Sequence, residues 1–171
     1  MKILLSALCL LAASNASFAQ SPYVSAKDPN QPGQHILNGI ITKFALQNDT
    51  TYQWYGNSEK NYTPSPALLT ALQAANGKTQ LVIFGGTWCE DTQFILPKFF
   101  KAQAQANYPD NAISFFAVDR SKKTIGGVTG AFKITNVPTI IVMKDGKETG
   151  RVVEYGKTGQ WDKELADLLQ Q

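Results

Sequence analysis

The sequence predicts an α/β fold with a mixed central sheet, helices on both faces and an N-terminal extension. Three observations carry this. Residues 81–84 are a continuous apolar run, as in a strand covered on both faces, and residues 113–118 and 139–143 read as two further buried strands. A long helical pattern separates the first two, which implies a βαβ unit with parallel pairing and a right-handed crossover. Asp145-Gly146 is a hairpin turn that returns the chain antiparallel after the third run.

Taken in order, the chain opens with Lys2, an apolar run over residues 3–13 and the small residues of Ser17-Phe18-Ala19. The run is too short for a membrane anchor, and the pattern is that of a signal peptide over residues 1–19, cut after Ala19. The expected location is therefore periplasmic or secreted. Residues 20–34, with Pro22, Pro29, Pro32 and Gly33, read as a linker. Residues 35–64 form the N-terminal extension. Within it residues 36–46 suit a helix or a strand, with Gly39 and a β-branched cluster weakening the helix. Tyr52, Trp54, Tyr55 and Tyr62 follow without a clear period, as in an added hairpin or packed loop.

The main domain spans residues 65–171. Ser65 caps a helix, Pro66 fits its first turn, Leu68, Leu69 and Leu72 form its apolar stripe, and Asn76-Gly77 ends it. The strand at 81–84 is broken by Gly85-Gly86. A helix then runs from about Cys89 to Ala106, with Pro97 expected to kink it. Asp119 closes the strand at 113–118, and residues 124–133 suit a short, irregular helix. After the hairpin, residues 149–154 form the return strand. Thr158 is expected to cap a last helix from about Gln160, with Trp161, Leu165, Leu168 and Leu169 inward.

The chain has 16 basic and 13 acidic residues, scattered too evenly to argue for nucleic acid or a membrane surface. No second apolar run approaches transmembrane length, so no stable membrane span is expected after signal cleavage. Cys9 would leave with the signal peptide. Cys89 then stands alone in an oxidising compartment, either buried and inert, paired with another chain, or a reactive thiol. One histidine, His35, and one cysteine make a zinc site improbable, and neither a metal nor a cofactor is expected.

Gly86-Thr87-Trp88-Cys89-Glu90-Asp91-Thr92 sits where a buried strand turns into a helix. A helix start offers free N–H groups and a positive dipole end, which favour a thiolate, and the thiolate is the species that attacks disulfides. Here the chain resembles the thioredoxin family, whose motif is W-C-x-x-C. Trp88-Cys89-Glu90-Asp91 matches it, and Thr92 stands where the second cysteine belongs. Pro97 matches the family's proline in the active-site helix. Val137-Pro138-Thr139 resembles its cis-proline segment, Lys144-Asp145-Gly146-Lys147 its late hairpin, and Gly156 the glycine after its last strand. The resemblance covers about residues 65–169 and implies a thioredoxin-like fold. The family's buried carboxylate would fall at Ile83 and its lysine partner near Phe115. Both are apolar here.

The resemblance implies Cys89 as the attacking thiol, with Trp88, Val137 and Pro138 holding an extended substrate. Thr92 either donates a hydrogen bond to the thiolate or is a tolerated polar replacement. Glu90 and Asp91 suit the first helical turn, and Thr87 to Glu90 fits a capping box. The two carboxylates also oppose charge on the sulfur. Three functions follow as expectations: monothiol thiol–disulfide exchange or isomerisation on cysteine-containing exported proteins or small thiols; a non-enzymatic binding module; or a dimer linked through Cys89.

Overall fold

A computed structural model of the chain describes residues 21–171. The expected signal peptide, with Cys9, lies outside the described residues. The sheet is built around β3 (Gln80–Gly85), which pairs parallel with β4 (Ile113–Ala117) and antiparallel with β5 (Thr139–Lys144). α4 (Glu90–Gln105) connects β3 to β4. β6 (Lys147–Val153) returns from β5 through the turn at Asp145 and Gly146. This is the mixed sheet expected of a thioredoxin-like fold.

The N-terminal region changes the expected outline. Residues 20–34 are not a free linker, because β1 (Tyr23–Lys27) lies within them. It pairs antiparallel with β2 (His35–Ile41), and β2 pairs antiparallel with β4, giving the order β1-β2-β4-β3-β5-β6. Pro22, Pro29 and Pro32 flank β1 rather than interrupt it, so no ladder bond is lost. Between the strands Asp28 is buried, which a loose arm would not achieve. Gly39 is glycine for a reason: its φ is +129° and a Cβ there would come within 2.4 Å of the Pro22 carbonyl.

The aromatic stretch is helical, not a hairpin or loop. A short α1 (Phe44–Gln47) leads into α2 (Gln53–Lys60), which packs against α4. Tyr52, just before α2, and Tyr55 within it are buried anchors. Burying each aromatic ring is worth about 2 kcal/mol. Tertiary contact, more than the helix propensity of this polar sequence, therefore holds the segment.

The alternation of side chains along the sheet makes two cores. Leu81, Ile83, Phe115, Ala117, Ile140 and Val142 face the larger one, covered by α1, α2, α3 (Pro66–Ala75), α4 and α6 (Trp161–Leu169). Phe84, Val118, Val137 and Ile141 face the smaller one, against which Val128 of α5 (Val128–Ala131), Phe132 and Ile134 pack. Ser65 caps α3 by accepting from Leu68 N, as expected. Thr158 does not cap α6. Instead Glu164 reaches back to accept from Thr158 N, Thr158 Oγ1 and Lys157 N. Its carboxylate occupies the space a side chain at Gly156 would need. Among the described residues no helix is long and apolar enough to cross a membrane.

Candidate functional site

β3 delivers its last residue, Gly85, to the foot of α4, and the turn that follows is close-packed. A Cβ on Gly85 would lie 2.8 Å from Leu96, 3.1 Å from Phe115 and 3.1 Å from the methyl of Thr92. A Cβ on Gly86 would strike the Trp88 ring at 2.6 Å. Both glycines are therefore required by close approach, and they draw Thr92 and Trp88 tightly onto the turn. Cys89 N donates to Gly86 O at 3.0 Å, closing the turn, and Gln93 N donates to Cys89 O at 3.0 Å, the first helical bond. Cys89 is thus the N-cap of α4 in extended conformation. Its side chain leaves the first-turn N–H groups without a side-chain cap.

The half-buried Cys89 thiol donates to Val137 O at 3.1 Å. The Val137–Pro138 peptide is cis. This segment is pinned from behind: Thr139 Oγ1 donates to Asn136 O at 2.7 Å, and Glu154 N donates to Pro138 O at 2.7 Å. Trp88 lies half-buried against the smaller core, its Nε1 donating to Val118 O at 3.0 Å. Cys89, Trp88, Val137 and Pro138 therefore converge at one end of the sheet.

Thr92 joins the turn in a structural role. It is 1% exposed, and its Oγ1 accepts from Gly86 N at 3.2 Å. Among the described residues no hydrogen bond joins it to the Cys89 sulfur. Thr87 and Glu90 do not form the expected capping box. The Thr87 hydroxyl donates to His35 O at 2.8 Å and accepts from Leu37 N at 3.4 Å, so it ties the turn to β2. Its hydroxyl is committed to β2 backbone on the side that β4 does not reach, since β4 pairs only with Gly39–Ile41. His35 thus touches the site through its carbonyl. Its ring faces Ser25, with Nδ1 3.4 Å from Oγ.

Glu90 is exposed and Asp91 half-buried on the first turn of α4. Beside them stands Tyr155, just past β6. It is 37% exposed and its ring lies 5.7 Å from that of Phe94. Partial burial, and then the Asp91 carboxylate next to it, push the Tyr155 phenol above its ordinary range. Sequence reasoning missed Tyr155, because nothing short of the sheet pairing carries it to α4. The positions expected to hold the family's buried acid and its lysine are a dry contact: Ile83 and Phe115 are register partners across β3 and β4, and both are buried.

Two open grooves mark the surface, of which only the first borders this arrangement. One of about 470 Å³ runs along α4 between Glu90, Gln93, Phe94 and Lys98 on one side and Trp54 on the other. The other, about 430 Å³, lies at the opposite end of the sheet around Lys78, Gln80 and Met143, remote from the thiol. Among the described residues no group of three or more His, Cys, Asp or Glu is placed to hold a metal ion.

Residues 68–169 match the thioredoxin family. A thioredoxin of Alicyclobacillus acidocaldarius subsp. acidocaldarius is 30% identical over 99 residues, covering 57% of this chain and 90% of that protein. A thioredoxin of Mycoplasma pneumoniae is 29% identical over 87 residues, 51% of this chain and 78% of that one. Thioredoxin H3 of Arabidopsis thaliana is 35% identical over 88 residues, 50% of this chain and 70% of that one. The matched stretch begins inside α3, so β1, β2, α1 and α2 lie outside it.

Proposed function

Because this chain belongs to the thioredoxin family, we propose that it performs monothiol thiol–disulfide exchange through Cys89, outside the cytoplasm. The family supports thiol–disulfide redox chemistry in general. The observation that carries the finer reading is the seat of Cys89: N-cap of a 16-residue helix, half-exposed, with its sulfur 3.1 Å from the carbonyl before cis-Pro138. The apolar run at residues 3–13 and the small residues before Gln20 support export.

In this reading the Cys89 thiolate attacks one sulfur of a substrate disulfide. A bond forms between Sγ and that sulfur, and the other substrate sulfur leaves as a thiolate that takes up a proton. Thr92 cannot resolve the mixed disulfide. Release requires a thiol of the substrate, or a small thiol, to attack the substrate sulfur and return Cys89 to the reduced state. When the resolving thiol belongs to the same substrate, one disulfide is broken and one made, with no net redox change. That outcome is isomerisation. Trp88 and the Val137–Pro138 segment hold the substrate chain, and Glu90 and Asp91 border it.

The test is refolding of a scrambled, multi-disulfide protein in the presence of a trace of small thiol. The full chain should speed recovery of the native form, and Cys89→Ser should abolish the gain. Equal recovery with Cys89→Ser would instead support a binding module that uses the fold without the thiol.

A further inference from the structure

The segment outside the family match supplies a charged support for Trp88. Asp28 lies in the turn between β1 and β2, with its side chain fully enclosed (0% exposed), and Arg120 lies just after β4, 31% exposed. They form a two-pronged ion pair: Arg120 Nε donates to Asp28 Oδ1 at 3.0 Å, and Nη2 donates to Oδ2 at 2.7 Å. Asp28 is itself held, with Asn30 N donating to Oδ1 at 2.9 Å and Asp28 N donating to Gln34 O at 2.9 Å. The fork fixes the guanidinium in plane, and its carbon then sits 5.3 Å from the Trp88 ring centre, within cation–π range. The Trp88 indole is also anchored by its Nε1 to Val118 O, two residues before Arg120. Trp88 precedes Cys89 directly.

We propose that Asp28 and Arg120 are positioning residues for the exchange site, holding the Trp88 ring as a fixed wall against which a substrate chain docks beside Cys89. The proposal rests on the exchange reading above. It gives the N-terminal segment a role in that reaction: β1 and its turn carry the carboxylate that orients the arginine that orients the tryptophan. A bidentate pair specifies direction as well as charge, so lysine at position 120 should not replace arginine.

Two readouts separate the claims. The first needs no exchange. The near-ultraviolet circular dichroism contributed by Trp88 is the difference between the chain and its Trp88→Phe variant. Arg120→Gln, Arg120→Lys and Asp28→Asn should each shrink that contribution, and an unchanged contribution in the arginine variants would overturn the proposal. Arg120 is partly exposed, so its variants carry the test even where Asp28→Asn fails to fold. The second readout is the rate of mixed-disulfide formation at Cys89 with a peptide disulfide, set beside alkylation of Cys89 by iodoacetamide. Arg120→Gln should slow the peptide reaction about fivefold and change alkylation by less than about twofold. In a Trp88→Ala background it should slow the peptide reaction no further. The same slowing without Trp88 would overturn the proposal. A parent chain that forms no peptide adduct would overturn the exchange reading, and the dichroism then decides by itself whether the ion pair holds Trp88.

Discussion

Cys89 and Val137 meet across the site, the thiol donating to the carbonyl at 3.1 Å, so the reduced sulfur is parked on the backbone that immediately precedes cis-Pro138. In the exchange reading proposed above, a substrate disulfide approaching Cys89 meets this segment. The thiol hydrogen bond also disappears when the sulfur is ionised or bonded to another sulfur, which frees the Val137 carbonyl for a new partner.

Thr92→Cys puts a second thiol at the position Thr92 now fills, one turn along α4 from Cys89. The variant should gain disulfide reductase activity in an insulin-reduction assay, where the parent has little. No gain would show that the two positions cannot pair, or that the site is closed to a protein disulfide.

Thr92→Val tests the structural role separately. It keeps the shape and removes the acceptor of the Gly86 N–H, a buried donor. We expect a loss of about 1–2 kcal/mol in denaturant melts. A neutral result would mean that the turn finds another acceptor.

Glu90→Gln and Asp91→Asn remove negative charge from the first turn beside the sulfur. Together they should raise the rate of Cys89 alkylation at neutral pH about threefold, the scale of an exposed pairwise charge interaction. The gain should shrink in high salt. A slower reaction would show that the carboxylates serve the thiolate indirectly, through α4.

Stability should fall in acid, with a sign that the carboxylates dictate. Hydrogen bonds from Arg120 hold Asp28 below the usual carboxylate range, and those from Thr158 and Lys157 do the same for Glu164. The folded state therefore binds fewer protons than the unfolded chain as pH drops into that range. The stabilisation is complete above the ordinary carboxylate value and is lost as pH falls from there through the lowered value of the folded state. Thermal midpoints should be level from about pH 7 to pH 5 and decline below about pH 4. Asp28→Asn should lower the midpoint at neutral pH and flatten the acid decline. An unchanged slope would remove Asp28 from this account.

Ile83→Asp restores the carboxylate position of the family, but here it would face Phe115 across a dry sheet. We expect a cost of about 3 kcal/mol or more, with a loss of soluble protein. Full stability would show that the sheet at Ile83 tolerates a buried carboxylate.

How far the sequence could be read follows from which interactions are local. The apolar runs in β3 and β5 announce strands because burial on both faces leaves little polar alternation, and β4 is announced by its cluster of aromatic and β-branched residues. Ser65, Pro66 and the Asp145-Gly146 turn act over a few residues, so they too are legible. The order of Trp88, Cys89, Pro97 and Pro138 pointed to the turn where Cys89 meets the Val137–Pro138 segment. What could not be read depends on distant pairing. β1 owes its existence to the backbone of β2, and its exposed side chains leave no pattern. α2 is helical because Tyr52 and Tyr55 find a core. Thr87 turned toward His35, 52 residues away, and the local capping rule gave way. Asp28 and Arg120, 92 residues apart, carry no mark of partnership until the sheet brings them together.

The measurement closest to the central claim is mass spectrometry of the protein isolated from its native compartment after rapid alkylation of free thiols. The account predicts a population of chains in which Cys89 is disulfide-bonded to cysteines of several other proteins, all released by reductant. Cys89 found wholly alkylated, with no attached partner, would contradict it.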